Sequence, residues 1–158
     1  MMSAKIRVLF VCLGNICRSP TAHGIFEQML HNHPLANRIE VDSAGTGHWH
    51  IGSPPDARSI AAARHKGCDI SHLRARQVVV EDFDEFDYIL AMDASNLKNL
   101  MAIKPDHFSG KLCLFLDFAG MSADVPDPYY DDEGFDHVYQ LCEQASRGLL
   151  QHLLEKHG

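Results

Sequence analysis

A doubly wound α/β fold, with four parallel strands and helices on both faces of the sheet, is predicted from the alternation of short aliphatic runs with longer segments of helical periodicity. Two junctions support it. The first apolar run ends at Gly14-Asn15 and is followed by Ser19-Pro20, the signature of a buried strand turning into a capped helix. The last segment carries leucines on two sides of a helix, a pattern fit to cover a sheet face. A length of 158 residues suits one ordinary core, so a single domain over residues 1–158 is expected, without repeat or linker.

Each element has a local reason. Lys5 to Cys12 is β-branched and aliphatic and reads as the first strand. Ser19 offers a capping hydroxyl ahead of Pro20, and Ile25, Phe26, Met29 and Leu30 follow at helical spacing, so a helix is expected from Ser19 to His31. Ile39 to Ala44 alternates as a second strand, and Gly45 to Pro55 is a Gly, His and Pro-rich loop that holds the only tryptophan, the composition of a site-lining segment. Asp56 caps a second helix that stops at Lys66-Gly67, a basic last turn before a glycine. Tyr88 to Met92 is a third strand, Asp93 to Met101 a third helix, and Lys111 to Phe115 a fourth strand before a polar loop from Asp117 to Asp132. Phe135 to His157 closes the chain as a helix.

Composition removes several function classes. Apolar residues at 46% and charged residues at 22% are those of a folded chain, which excludes disordered and fibrous readings. The longest uncharged runs fall well short of the roughly 20 residues that a membrane helix needs, so no membrane association is expected. A net charge of −7 argues against nucleic acid as a partner. Five cysteines without an export signal point to reduced thiols in the cytoplasm, at least one of them with a chemical task.

In doubly wound sheets, ligands sit beyond the carboxyl ends of the strands, which directs attention to Cys12–Ser19. This loop joins a strand to a helix N-terminus, so its N–H groups converge on an anion with the helix dipole behind them. Gly14 supplies a free dihedral and Asn15 tolerates the left-handed region. In place of the Gly-Lys-Ser/Thr ending of a nucleotide loop stand a cysteine and an arginine. A thiol in that position beside Arg18 is expected as thiolate, and the arginine fork matches two phosphoryl oxygens. The spacing of Cys12 and Arg18 alone is weak, since about a quarter of a match arises by chance in such a chain. Cys68 and Arg74 repeat it, but without a strand before, a glycine within or a capped helix after. A buried cysteine at a strand end is the bland alternative for Cys12.

Val11 to Pro20 near the N-terminus, with Asp127-Pro128-Tyr129-Tyr130 about thirty residues from the end, resembles the low-molecular-weight protein tyrosine phosphatases. The resemblance runs along nearly the whole chain, through Asp42–Thr46, Trp49-His50, Pro55–Arg58, His72–Gln77 and Met92–Asn96. It implies the same four-stranded sheet, in flavodoxin-like topology, and a cysteine-dependent hydrolase that removes phosphate from protein phosphotyrosine and small aryl phosphates through a phosphocysteine. By the resemblance Cys12 is the nucleophile, Arg18 the clamp and Asp127 the general acid and base. Leu13, Gly14, Asn15, Ile16, Cys17 and Ser19 form the phosphate loop, Ser43 and His72 support it, and Trp49, Tyr129 and Tyr130 wall the substrate pocket with Leu13. Ser19 is expected to donate to the Cys12 sulfur, and Cys17 matches a second loop cysteine that pairs with the nucleophile on oxidation.

Blander readings stand beside these. Asp127 is also a turn-initiating residue before Pro128, Ser19 an N-cap, Asn15 a turn residue, His72 a surface imidazole and Cys17 a small packed side chain. His23 stands where many relatives carry an acid, which leaves any role of that carboxylate open. The pairs His31 and His33, and His48 and His50, lack a third ligand, so no metal and no cofactor is expected and the loop histidines are read as solvated. The implied partners are phosphotyrosine proteins and, through Tyr129 and Tyr130, a tyrosine kinase, with the chain a monomer or weak homodimer. Among rivals, an arsenate reductase needs two further relay cysteines, and none lies between Cys68 and Cys113. A protein arginine phosphatase would carry threonine in place of Ile16, and a phosphate-binding module would need neither Cys12 nor Asp127.

Overall fold

Val8, Phe10 and Cys12 point to one face of the first strand while Leu9 and Val11 point to the other, and all five are buried, because helices cover the sheet on both sides. The computed structural model describes residues 5–157; the first four residues and Gly158, the two ends of the expected 1–158 domain, lie outside them. In chain order the elements are β1 (Ile6–Cys12), α1 (Arg18–Leu30), β2 (Ile39–Gly45), α2 (Ala57–His65), α3 (Asp82–Glu85), β3 (Tyr88–Ala91), α4 (Ala94–Ile103), β4 (Lys111–Leu114), a 3₁₀ turn (Phe115–Ala119) and α5 (Gly134–His157). The sheet order is β2-β1-β3-β4 with every pair parallel. The expected doubly wound sheet is therefore present, with its order reversing between β1 and β3.

Phe10, Phe26 and Phe115 form an edge-to-face cluster beneath α1 and α5, with Val138, Leu149 and Leu153 of α5 closing the same side. On the opposite face Leu9, Val11, Ile89 and Ala91 pack against Leu100 of α4 and Phe83 of α3. α2 starts at Asp56, whose carboxylate accepts from the Arg58 N–H, and ends before Gly67 in the left-handed region (φ 81°), as its cap residues predict.

Three local expectations change. Cys17, not Ser19, is the N-cap of α1, and it makes no side-chain cap bond. Ser19 lies inside the first turn with its hydroxyl turned toward Cys12, leaving Pro20 third in the helix rather than first. The short α3 and the 3₁₀ turn were not expected. α3 forms because Asp82 is buried on a fork from Arg76, a tertiary contact that four acidic residues in sequence do not announce. Among the described residues no helix is long and apolar enough to cross a membrane.

Candidate active site

The loop between β1 and α1 is held by its neighbours rather than by a cap. Asn15 takes φ 58°, as its residue type permits, and its N–H reaches the Cys12 Sγ at 3.3 Å. Its side-chain Nδ2 donates to Ser19 Oγ at 2.7 Å, while its Oδ1 accepts from the backbone N–H of Arg76 at 3.0 Å. The Arg76 carbonyl accepts from Gly45, so one residue anchors both the loop and the end of β2. A Cβ on Gly45 would stand 2.7 Å from the Leu13 carbonyl oxygen, so only glycine lets β2 come this close. The N–H groups of Leu13, Gly14, Ile16 and Cys17 meet no protein acceptor among the described residues. They form the open donors of an anion nest.

Cys12 lies buried at the bottom, with Ser19 Oγ 3.0 Å from its sulfur. Arg18 is buried too. Its Nη1 donates to Asp93 Oδ2 at 2.6 Å and to the Val125 carbonyl at 3.0 Å, and its Nη2 lies 3.8 Å from Asp127 Oδ2. Burial alone would loosen the guanidinium proton, but the sulfur of Cys12 and the carboxylates of Asp93 and Asp127 hold it on and leave the group more basic than usual. Asp127 is 42% exposed, and its second oxygen accepts from the Tyr129 N–H at 3.1 Å. The turn reading of Asp127 thus coexists with its place over the loop. Burial pushes the Cys17 thiol up to about 12, against a smaller opposing bond from Ser59.

A cleft of about 320 Å³ opens above Cys12 and is lined by Leu13, Trp49, His50, Asp127, Tyr129 and Tyr130 among others, so the sequence-predicted pocket residues converge. Trp49 is stacked on His48, and Tyr130 stands edge-on to Tyr129. His50, expected to be solvated, is half-buried in the cleft wall beside Tyr129. The model of the low molecular weight phosphotyrosine protein phosphatases matches residues 7–157. The chain belongs to this family.

A phosphatase of that description from Schizosaccharomyces pombe is 43% identical over 154 residues, covering 95% of this chain and 98% of its own. Bacillus subtilis YfkJ, a low molecular weight protein-tyrosine-phosphatase, is 46% identical over 92% of this chain and 94% of its own. Its crystal structure superposes with a TM-score of 0.90 at 40% identity, covering both chains fully. The crystal structure of a protein tyrosine phosphatase from Entamoeba histolytica gives a TM-score of 0.89 at 37% identity over 96% of this chain and 98% of that one.

Against this family background, two predicted support residues separate. Ser43 is buried on β2, but His72 is exposed and makes no side-chain hydrogen bond among the described residues. The imidazole that meets Ser43 is that of His23, at 2.9 Å. His23, Asp93 and Arg76 were given no role from the sequence and His50 was read as solvated, because Ser43, Arg18, Asn15 and Tyr129, which they meet, lie far along the chain. Asp93 was read only as the start of the third helix; it is the N-cap of α4, accepting from the Asn96 N–H with one oxygen while the other accepts from Arg18. The duplicate motif comes apart: Cys68 is buried, while Arg74 is exposed and donates to the carbonyls of Ser71 and Leu73. No group of three His, Cys, Asp or Glu side chains among the described residues could hold a metal ion.

Proposed function

We propose that this chain hydrolyses protein phosphotyrosine, and small aryl phosphates, through a phosphocysteine on Cys12. The observation that carries the reading is the convergence of functions on one cleft: a sulfur at the base of an N–H nest, a buried arginine beside it, a half-exposed carboxylate and aromatic walls. Phosphoryl transfer needs little else than positioning and charge stabilisation.

In the first step the Cys12 thiolate attacks phosphorus. The S–P bond forms as the P–O bond to the aryl group breaks, and the leaving phenolate takes the proton of Asp127. Arg18, held in place by Asp93 and the Val125 carbonyl, offers its fork to two equatorial oxygens. In the second step the Asp127 carboxylate takes a proton from water as its oxygen bonds to phosphorus, and the S–P bond breaks to return the thiolate and inorganic phosphate. The aromatic walls favour an aryl ester because a ring enters between Trp49 and Tyr129 with its faces covered.

Phosphotyrosine proteins are the partners of this chemistry, and Tyr130, 93% exposed, is open to a tyrosine kinase. All five cysteines are free, which favours a reducing, cytoplasmic setting. On oxidation of Cys12 by a peroxide to the sulfenic acid, condensation with the Cys17 thiol would release water and shield the nucleophile.

Acid quenching during turnover of an aryl phosphate, followed by mass spectrometry of peptides, tests the reading. Phosphate on Cys12 is the expected result, with neither adduct nor turnover in Cys12→Ser. Turnover that persists in Cys12→Ser would overturn it.

A further inference from the structure

α1 meets the end of β2 through two rungs one helical turn apart. Ser19 Oγ lies 3.4 Å from the Ala44 carbonyl, and four residues later His23 Nδ1 lies 2.9 Å from Ser43 Oγ. The second rung is buried on both sides, with His23 at 6% and Ser43 at 5% exposure. Its imidazole is oriented from behind: His23 Nε2 faces Glu27 Oε2 at 3.3 Å, one further turn along α1. The bond to His23 lowers the Glu27 carboxyl below its usual range, against the opposing effect of burial, with smaller help from the charges of His23 and His72. With Nε2–H donating to the Glu27 carboxylate, Nδ1 is the ring nitrogen left to accept from the Ser43 hydroxyl.

These rungs bear on the reacting sulfur. Ser19 contacts Cys12 Sγ and begins the same helix turn that His23 ends, and Gly45, two residues after Ser43, pairs with Cys12 across the sheet. A buried polar pair of this kind fixes one spacing between helix and strand, because any slip leaves two polar groups without partners.

We propose that His23 is a positioning residue for the phosphate loop: through Ser43 it holds the first turns of α1 against the end of β2 and so sets where Ser19 meets the Cys12 sulfur. The proposal rests on the reading of Cys12 as nucleophile. It also assigns to α1 the imidazole that the family resemblance places at His72, which here is exposed. A sub-ångström displacement of a reacting group costs on the order of tenfold or more in rate.

The test compares His23→Leu, His23→Asn, Ser43→Ala and the double variant His23→Leu/Ser43→Ala, using turnover of an aryl phosphate and the rate at which iodoacetate inactivates the enzyme, with near-UV circular dichroism to establish folding. Asparagine places an amide oxygen close to where Nδ1 stands. The expected result is a kcat about tenfold lower in His23→Leu and Ser43→Ala with KM within about twofold, slower alkylation, and recovery of most of kcat in His23→Asn. The double variant should be no worse than the poorer single one, because both remove the same bond. Multiplying losses, failure of asparagine to restore kcat, or wild-type kcat in folded His23→Leu would overturn the proposal. Should His23→Leu not fold, Ser43→Ala decides, and full activity there overturns it. Wild-type turnover that survives complete alkylation of Cys12 would instead remove the nucleophile reading beneath it.

Discussion

Ser19 Oγ accepts from Asn15 Nδ2 at 2.7 Å and stands 3.0 Å from Cys12 Sγ, nearer than the Ala44 carbonyl at 3.4 Å. When Cys12 reacts as a thiolate its sulfur can only accept, so the Ser19 hydroxyl is then the donor of this pair and the longer approach to Ala44 is left as a contact. A hydrogen bond to a charged group contributes about 1.5–3 kcal/mol, and each 1.4 kcal/mol is about tenfold in rate. Ser19→Ala should therefore lower kcat by roughly ten- to a hundredfold. Because the thiolate is the leaving group of the second step, phosphocysteine should build up, seen as a burst of phenol release in rapid-mixing kinetics. A kcat within twofold of wild type would remove Ser19 from that role.

The repeated spacing at Cys68 and Arg74 predicts a sharp asymmetry. Burial raises the Cys68 thiol to about 11, with Asp69 and Glu27 adding to the effect, and its arginine is spent on local carbonyls. Cys68→Ser should keep most of the wild-type turnover, whereas Cys12→Ser should lose it all while still binding phosphate or vanadate through the nest and Arg18. Parallel assays without added metal decide this.

Stability should fall on the alkaline side for a stated reason. Burial raises the thiols of Cys17 to about 12 and of Cys113 to about 11, and raises that of Cys142 further, from an unperturbed 9.0. A group whose folded value is raised adds stability that is whole below the unfolded value and is lost as pH climbs toward the folded one, because the unfolded chain releases its protons first. The urea midpoint should hold from pH 7 to about 8.5 and drop from pH 9 to 11. Cys142→Ala should flatten that drop, and an unchanged slope would remove Cys142 from the effect.

How far these sites were legible follows from where their causes lie. β1 and the Cys12–Ser19 loop were readable because strand, turn and helix signals are local, and the family pattern named Asp127 across a gap in sequence. Arg76 was not readable as a scaffold: its backbone holds Asn15 and Gly45 and its side chain forks onto Asp82 while reaching Asp42, contacts made only after folding. Ser19 as helix cap failed for a functional reason, since a hydroxyl spent on the helix end is not free to face the sulfur. His72 and His23 show the limit of transferring a network by position, because an imidazole from another element meets Ser43.

Arg58 clasps the loop that carries Asp127. It donates to both oxygens of Asp56, reaches Asp132 at 2.5 Å, and lies over the rings of Phe135 and Tyr129 at 4.6 and 5.6 Å. Arg58→Ala should loosen the segment around Tyr129, lowering kcat/KM by about three- to tenfold and speeding proteolytic cleavage near residues 129–133. Lysine should restore little, because an ammonium has neither the fork nor the plane. Full rescue by Arg58→Lys would reduce the clasp to simple charge.

Asp127 has two bonds to separate, the turn to the Tyr129 N–H and the carboxylate above Arg18. Asp127→Asn keeps an oxygen for the turn but has no proton of the right acidity to give, whereas Asp127→Ala loses both. Across aryl phosphates of rising phenol basicity, both variants should fall progressively behind the wild type. The loss should be slight in P–O cleavage for nitrophenolate and about a hundredfold or more for a tyrosine-like phenolate. An added constant loss in Asp127→Ala alone would report the turn. Phosphocysteine should also persist in both variants, since no carboxylate remains to activate water. If every substrate lost the same factor in both variants, proton donation by Asp127 would be refuted and the residue would be left with the turn and the ion pair to Arg18.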